Sequence, residues 1–515
     1  MQQQQVQKGL IARTLGLVER VGNRLPDPAT LFVLLGIVVL AMSAIGSMAG
    51  WSVADPRDPT KSLVVTNLLS SDGIRWMLTS ALKNFLDFPP LAIVLVAMLG
   101  IGVAERTGLF PALIKLLVTI TPSKLLTPAL VFIGVCSNIA SDAGYVVLPP
   151  LAAGMFAMVG RSPLVAIAAV TFGVAGGFSA NLLISSLDPL LSSLTQSAAQ
   201  VLDPAAIVTP TCNYWFMVAS TPFLTLVGWF VTARIVEPRF TRSEVEAQIA
   251  EGGNTRDATQ GNSQLDAKER RGLFAALAAL VVAGILFFLM ARIDGWPLSG
   301  EMMRPGTTTL VPVWSEAIVP MILVLFLLPG IAYGVLSGEI RSDRCVAKRM
   351  SDSMSSMGTY LVLAFFAGQT IAWFRQSGLT SVLGVTGGEA IKSLGFGEGS
   401  MVAAIVVVVA TLNLFVSSAS AKWAFLAPIL VPMLGTAGMS PEVVQCAYRV
   451  GDSCTNPIAP LSPYLVVILI AIQRYQKSAG IGTLIALLVP YCIAALVLWT
   501  AFLVLWLELG IPLGV

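Results

Sequence analysis

Long apolar runs dominate the chain. They lie near 29–49, 88–104, 163–187, 208–233, 272–291, 317–337, 354–374, 441–465 and 481–507. A bilayer core is about 30 Å thick and takes about 20 apolar residues as helix. The runs therefore predict about nine transmembrane helices. All are free of charge except the eighth, which carries Glu442, Arg449 and Asp452.

Two further apolar stretches, 121–160 and 397–435, are each long enough for two helices and polar in the middle. The first has Ser137-Asn138-Ile139-Ala140-Ser141-Asp142 at its centre, the second Ser417-Ser418-Ala419-Ser420. An apolar arm, a polar tip and a second apolar arm predict a re-entrant hairpin. Irregular backbone at membrane depth survives only where protein or a cavity surrounds it. Similar landmarks follow each hairpin. Gly160-Arg161-Ser162-Pro163 leads to Gly176-Gly177 and Asn181, and Gly438-Met439-Ser440-Pro441 leads to Gly451 and Asn456. The expected fold class is an all-α polytopic membrane protein, with the hairpins inserted oppositely in an inverted repeat. Such repeats with broken helices mark secondary transporters, whose sites lie between the repeats.

Composition narrows the chemistry. Of 515 residues, 56% are hydrophobic and 11% charged, against about 25% charged in soluble domains. With 31 basic and 28 acidic residues the net charge is +3, too small for a nucleic-acid partner. Histidine is absent, which removes Ser-His-Asp hydrolysis, His-based metal sites and His proton relays. The six cysteines are scattered without a CxxC pair, so neither disulfides nor a Cys metal site is expected. No Gly-x-x-x-x-Gly-Lys-Ser/Thr loop for ATP is present.

Lysine and arginine set the orientation. The N-terminal segment 1–28 holds Lys8, Arg13, Arg20 and Arg24 and no signal-peptide core, so it is placed in the cytoplasm. The repeats are then 29–235, with hairpin 121–160, and 272–515, with hairpin 397–435. Between them, 236–271 is charged and Gly/Asn-rich and reads as a flexible cytoplasmic linker.

A helix broken inside the membrane frees carbonyls and exposes helix ends, which suit a desolvated Na+ and an anion respectively. Ser137, Asn138 and Asn181 supply oxygens in the first half; Ser417, Ser418, Thr455 and Asn456 do so in the second, with Asn413 a turn before the tip. These are the Na+ candidates; helix–helix hydrogen bonding is the alternative role for each. Charge inside a membrane is costly, so Asp142, Asp188, Lys422, Arg449 and Asp452 are candidates for function. Arg449 and Asp452 share a helix face and are expected to pair. Arg449 would hold a substrate carboxylate, Asp452 a proton or the balancing charge of the arginine, and the indole of Trp423 an aromatic ring, with packing or interfacial anchoring as its alternative role.

The run from Asn413 through Ser420, Lys422, Trp423 and Pro428, with Tyr448-Arg-Val-Gly-Asp452-Ser-Cys-Thr-Asn456-Pro-Ile-Ala-Pro460, resembles the AbgT family of bacterial transporters. Asn181-Leu-Leu-Ile-Ser-Ser-Leu-Asp188 resembles the corresponding part of its first half. The resemblance implies a homodimer in the bacterial inner membrane, with nine spans and two hairpins per subunit. It implies secondary transport of p-aminobenzoyl-glutamate or related aromatic acids, or export of sulfonamide antimetabolites, driven by a Na+ or H+ gradient, with no covalent cofactor. The family's substrate residues fall on Asp188, Asn413, Ser420, Trp423, Arg449, Asp452 and Pro460. A Na+-coupled dicarboxylate transporter of related architecture is the alternative. An intramembrane enzyme lacks a supporting motif, and a channel fits inverted repeats less well.

Overall fold

The computed structural model describes residues 28–515 except 56–57, 120–124, 141–142, 186, 253–264, 304–309, 356, 394, 417, 460–461 and 463. Asp142, Ser417 and Pro460 lie outside the described residues. The protein is an all-α polytopic membrane protein. Six described helices are long and apolar enough to cross a membrane, and up to eight if each of two bent pairs counts as one span. The other apolar segments are shorter, among them Leu126–Cys136 and Pro163–Gly176.

The third and eighth apolar runs do not form single helices. The third is helical over Pro163–Thr171, widens into a π-turn over Phe172–Gly176, and resumes at Leu187–Ala199. The eighth is helical over Pro441–Thr455, tightens at Asn456–Ile458, and resumes at Tyr464–Gln473. Ser440 starts this helix by accepting from the Val443 N–H, with Pro441 in the first turn. The proximal segments are enclosed by protein: Pro163–Gly176 and every residue from Val443 to Thr455 are buried. By contrast, Ala267–Arg292 buries only Gly272, Leu273, Ala276 and Ala283, the pattern of a lipid-facing helix.

Both hairpins form. The first runs Leu126–Cys136, a 3-10 turn Ser137–Ala140, then Ala143–Met158. The second runs Glu398–Asn413, a break, then Ala419–Thr436, where Ser418 caps the second arm by accepting from the Ala421 N–H. The two halves pack reciprocally. Leu187–Ala199, beyond the first break, lies on the second hairpin arm Ala419–Thr436; Tyr464–Gln473, beyond the second break, lies on the first hairpin arm Ala143–Met158. Tyr145 stacks on Tyr464 at that contact, with ring centroids 4.2 Å apart. The breaks themselves meet: the Ser179 N–H donates to Ser453 Oγ at 3.1 Å.

Some elements differ from expectation. Between the seventh apolar run and the second hairpin stretch, Leu379–Ser393 is a further helix, bent by 117° from Glu398–Asn413 and packed on Ala419–Thr436. Two short ribbons pair Ser52–Asp55 with Asp58–Val64 and Glu301–Met303 with Leu310–Pro312. The linker is ordered at its start. Thr241 and Glu244 form a capping box for the helix Arg242–Glu251, and the Thr241 N–H holds the Glu244 carboxyl below its ordinary pKa. Gln248 accepts from Ser162 Oγ at 2.6 Å, and Glu251 accepts from the Lys477 N–H at 3.1 Å, so this helix ties to both halves.

Glycine permits the tightest approaches. A Cβ on Gly451 would lie 2.6 Å from the Val406 carbonyl oxygen and 2.9 Å from Val409 Cβ. Gly451→Ala gains about 0.5–1 kcal/mol of helix preference but overpacks this contact at a cost of about 1–3 kcal/mol. The variant is expected to melt below the parent protein in detergent. A melting temperature at or above the parent's would refute the close approach.

Candidate functional site

Four charged side chains are buried where the second hairpin, the second broken helix and the far half of the first meet. Asp188 is 0%, Asp452 1%, Arg449 3% and Lys422 4% exposed. They form two opposite-sign pairs. Arg449 Nη2 donates to Asp188 Oδ1, and Lys422 Nζ lies 2.6 Å from Asp452 Oδ1. The expected Arg449–Asp452 pair is thus replaced by two bridges to other segments. Breaking a buried pair strands a charge, so each bridge fixes its elements firmly.

Asp188 sits in the first turn of Leu187–Ala199, where the helix N-terminus favours a carboxylate. Its Oδ2 accepts from the Ser185 N–H at 2.6 Å and Ser185 Oγ at 2.9 Å. It is therefore a buried side chain held in place by hydrogen bonds. Arg449 keeps a second face: its Nε is buried without a hydrogen-bond partner.

Around Lys422 the contacts are amide and hydroxyl groups. The ammonium donates to Asn413 Oδ1. Asn413 Nδ2 donates to the Asp452 carbonyl at 2.7 Å, Asn456 Oδ1 at 2.8 Å and Thr455 Oγ1 at 3.1 Å. The Tyr448 hydroxyl donates to the Ala419 carbonyl and faces Asp452 Oδ1 at 3.5 Å. Asp452 Oδ2 is buried without a partner.

Trp423 is fully buried and stacks on Tyr448, centroids 4.4 Å apart. Its Nε1–H donates to Thr195 Oγ1 at 2.9 Å and the Leu191 carbonyl at 3.2 Å. Thr195 in turn donates to Gln445 Oε1 at 2.5 Å, and Gln445 Nε2 to Asn213 Oδ1 at 2.8 Å. The ring expected to meet an aromatic ligand thus meets Tyr448. Ser420 is half-buried and its hydroxyl lies 3.4 Å from Ser418 Oγ at the exposed tip, apart from the charges.

Among the described residues, the first-half candidates make no hydrogen bond to these charges. Ser137 Oγ donates to the Gly134 carbonyl and Asn138 Nδ2 to the Val135 carbonyl, both within their own arm. Asn138 Oδ1, Ser179 Oγ and both polar atoms of the Asn181 side chain are buried without hydrogen-bond partners.

Tyr448, Gln445, Thr195 and Ser185 were not singled out from sequence. Gln445, Tyr448, Arg449 and Asp452 form one i, i+3/i+4 stripe, and Ser185-x-x-Asp188 has the spacing of an N-terminal capping motif; both signals were available.

Residues 13–515 match the model of the AbgT transporter family. The p-aminobenzoyl-glutamate transport protein of Escherichia coli (strain K12) is 35% identical over 500 residues, covering 97% of this chain and 95% of that protein. MtrF of Neisseria gonorrhoeae, described as illuminating a class of antimetabolite efflux pumps, superposes with a TM-score of 0.87. It is 40% identical, with 96% of this chain and 97% of that one covered. The Alcanivorax borkumensis YdaH transporter, described as having an unusual topology, gives a TM-score of 0.84. It is 37% identical, with 95% and 100% covered. Matched along nearly its whole length in sequence and in fold, the chain belongs to the AbgT family of membrane transporters.

Proposed function

We propose that the protein carries p-aminobenzoyl-glutamate or a related aromatic acid, including anionic sulfonamides, across the bacterial inner membrane as a homodimer with cytoplasmic N-termini. A Na+ or proton gradient drives it, and no bond of the cargo is made or broken. The observation that carries this reading is the Arg449–Asp188 bridge. A planar guanidinium held by one internal carboxylate can exchange it for a substrate carboxylate. The bridge joins the two halves, so the exchange also loosens one half from the other. The named relatives support the substrate class: one is named for p-aminobenzoyl-glutamate and another is grouped with antimetabolite efflux pumps.

Proteoliposomes test the proposal. Labelled p-aminobenzoyl-glutamate is expected to accumulate when a Na+ or a proton gradient is imposed, and excess succinate or citrate to leave its uptake unchanged. Accumulation of succinate, with p-aminobenzoyl-glutamate neither carried nor competing, would establish the dicarboxylate alternative instead.

A further inference from the structure

The two broken helices share one short Gly-to-Asn spacing, yet their polar interiors differ. Gly176 precedes Asn181 by the same interval as Gly451 precedes Asn456. In that register Asp452 corresponds to Gly177, where an added Cβ would lie 2.5 Å from Val135 Cγ2, so the first half has no room for a carboxylate. The second half thus has an added anion and a cation beside it.

In the second half the amide oxygens are already engaged. Asn456 Oδ1 accepts from Asn413 Nδ2, while Asn413 Oδ1 and Asp452 Oδ1 both receive the Lys422 ammonium. An ammonium is a compact point charge with three donors, and here two oxygens converge on it. In the first half Asn181 is 1% and Asn138 5% exposed. Asn181 Oδ1, Asn138 Oδ1 and Ser179 Oγ have no hydrogen-bond partner. The elements leading to them adjoin: the π-turn Phe172–Gly176 packs on the arm Leu126–Cys136, and a Cβ at Gly177 would lie 2.5 Å from Val135 Cγ2. No described lysine or arginine pairs with them. Buried polar atoms without partners are uncommon and call for an explanation such as a bound ion; hard oxygens suit an alkali cation.

We infer that Lys422 is a tethered cation filling the oxygen site of the second half, so that each subunit takes up one Na+, at Asn138 and Asn181 in the first. The inference rests on the reading of the chain as an ion-driven transporter and assigns its ion count. The two halves then use one design differently: a mobile cation in the first, a covalently attached one in the second.

Equilibrium binding of radioactive Na+ to the purified full-length protein in lipid nanodiscs tests this without requiring any transported substrate. One Na+ per chain is expected. Asn181→Ala should weaken it by at least about tenfold, the loss of one good ligand to a charged group. Lys422→Gln, which leaves Asp452 unneutralised, should raise the count to two; Lys422→Arg should hold it at one; and adding Asp452→Asn to Lys422→Gln should return it to one. Two ions or none on the parent protein would overturn the inference, as would a folded Lys422→Gln variant that still binds one. Should Lys422→Gln not fold, the parent's count and its response to Asn181→Ala decide the matter. A lack of p-aminobenzoyl-glutamate flux alongside the expected counts would fault the substrate assignment alone.

Discussion

Arg449→Ala is expected to abolish transport and to lower stability by about 3–5 kcal/mol, the usual cost of stranding one member of a buried ion pair. The stranded group is Asp188, which has 0% exposure and, among the described residues, Ser185 as its remaining partner. Arg449→Lys keeps the charge but not the planar fork; it should fold, and its transport should fall about 10- to 100-fold, the worth of a charge-assisted contact of about 1.5–3 kcal/mol. The decisive variant removes both ends of the bridge. Arg449→Met with Asp188→Leu replaces a buried pair by apolar groups of similar bulk, a change that is often neutral or stabilising. It should melt close to the parent protein yet carry no p-aminobenzoyl-glutamate. Near-normal uptake by that double variant would reduce Arg449 to a structural role. Comparing melting curves with proteoliposome uptake for the three variants separates folding from binding.

The choice of Asp188 as the second position was not legible in the sequence, and the reason is physical. Spacing along one helix places Arg449 and Asp452 on the same face, and that much holds. Their partners come from elsewhere: Asp188 stands 261 positions from Arg449, and Lys422 sits on another element. Helical periodicity describes a surface; it does not say which surface faces it. The broken helices, by contrast, were legible because Gly, Asn and Pro interrupt apolar runs, and backbone at that depth must then be enclosed. Leu379–Ser393 escaped notice because Gly387, Gly388, Glu389 and Lys392 dilute its apolar pattern. Thr241-x-x-Glu244 carries a helix-start signal, but the glycines and charges around it weighed towards a flexible linker. The polar stretches at Ser137–Ala140 and before Ala419 do interrupt the helices, yet the difference between the halves depends on Lys422 reaching Asn413 and Asp452, which only the tertiary structure shows.

Trp423→Ala is expected to be the second most damaging change, at about 3–5 kcal/mol for a fully buried aromatic side chain. Most of this loss is packing. The indole fills the space between the second hairpin and Leu187–Ala199, and its removal deprives Tyr448 of its stack. Tyr448 directly precedes Arg449 and its hydroxyl lies near Asp452, so the cavity should also let the guanidinium drift. Trp423→Phe divides the two contributions. It retains a ring against Tyr448 and removes only the Nε1–H donor to Thr195 and Leu191, a loss of about 0.5–1.5 kcal/mol. Thr195 then keeps its bond to Gln445, which limits the damage. The phenylalanine variant should thus melt only slightly below the parent, with a KM for p-aminobenzoyl-glutamate within about twofold. The alanine variant should lose both stability and transport. An alanine variant that melts like the parent would contradict the buried packing. A phenylalanine variant with normal melting and a KM raised tenfold or more would show that the indole touches the substrate directly during the transport cycle.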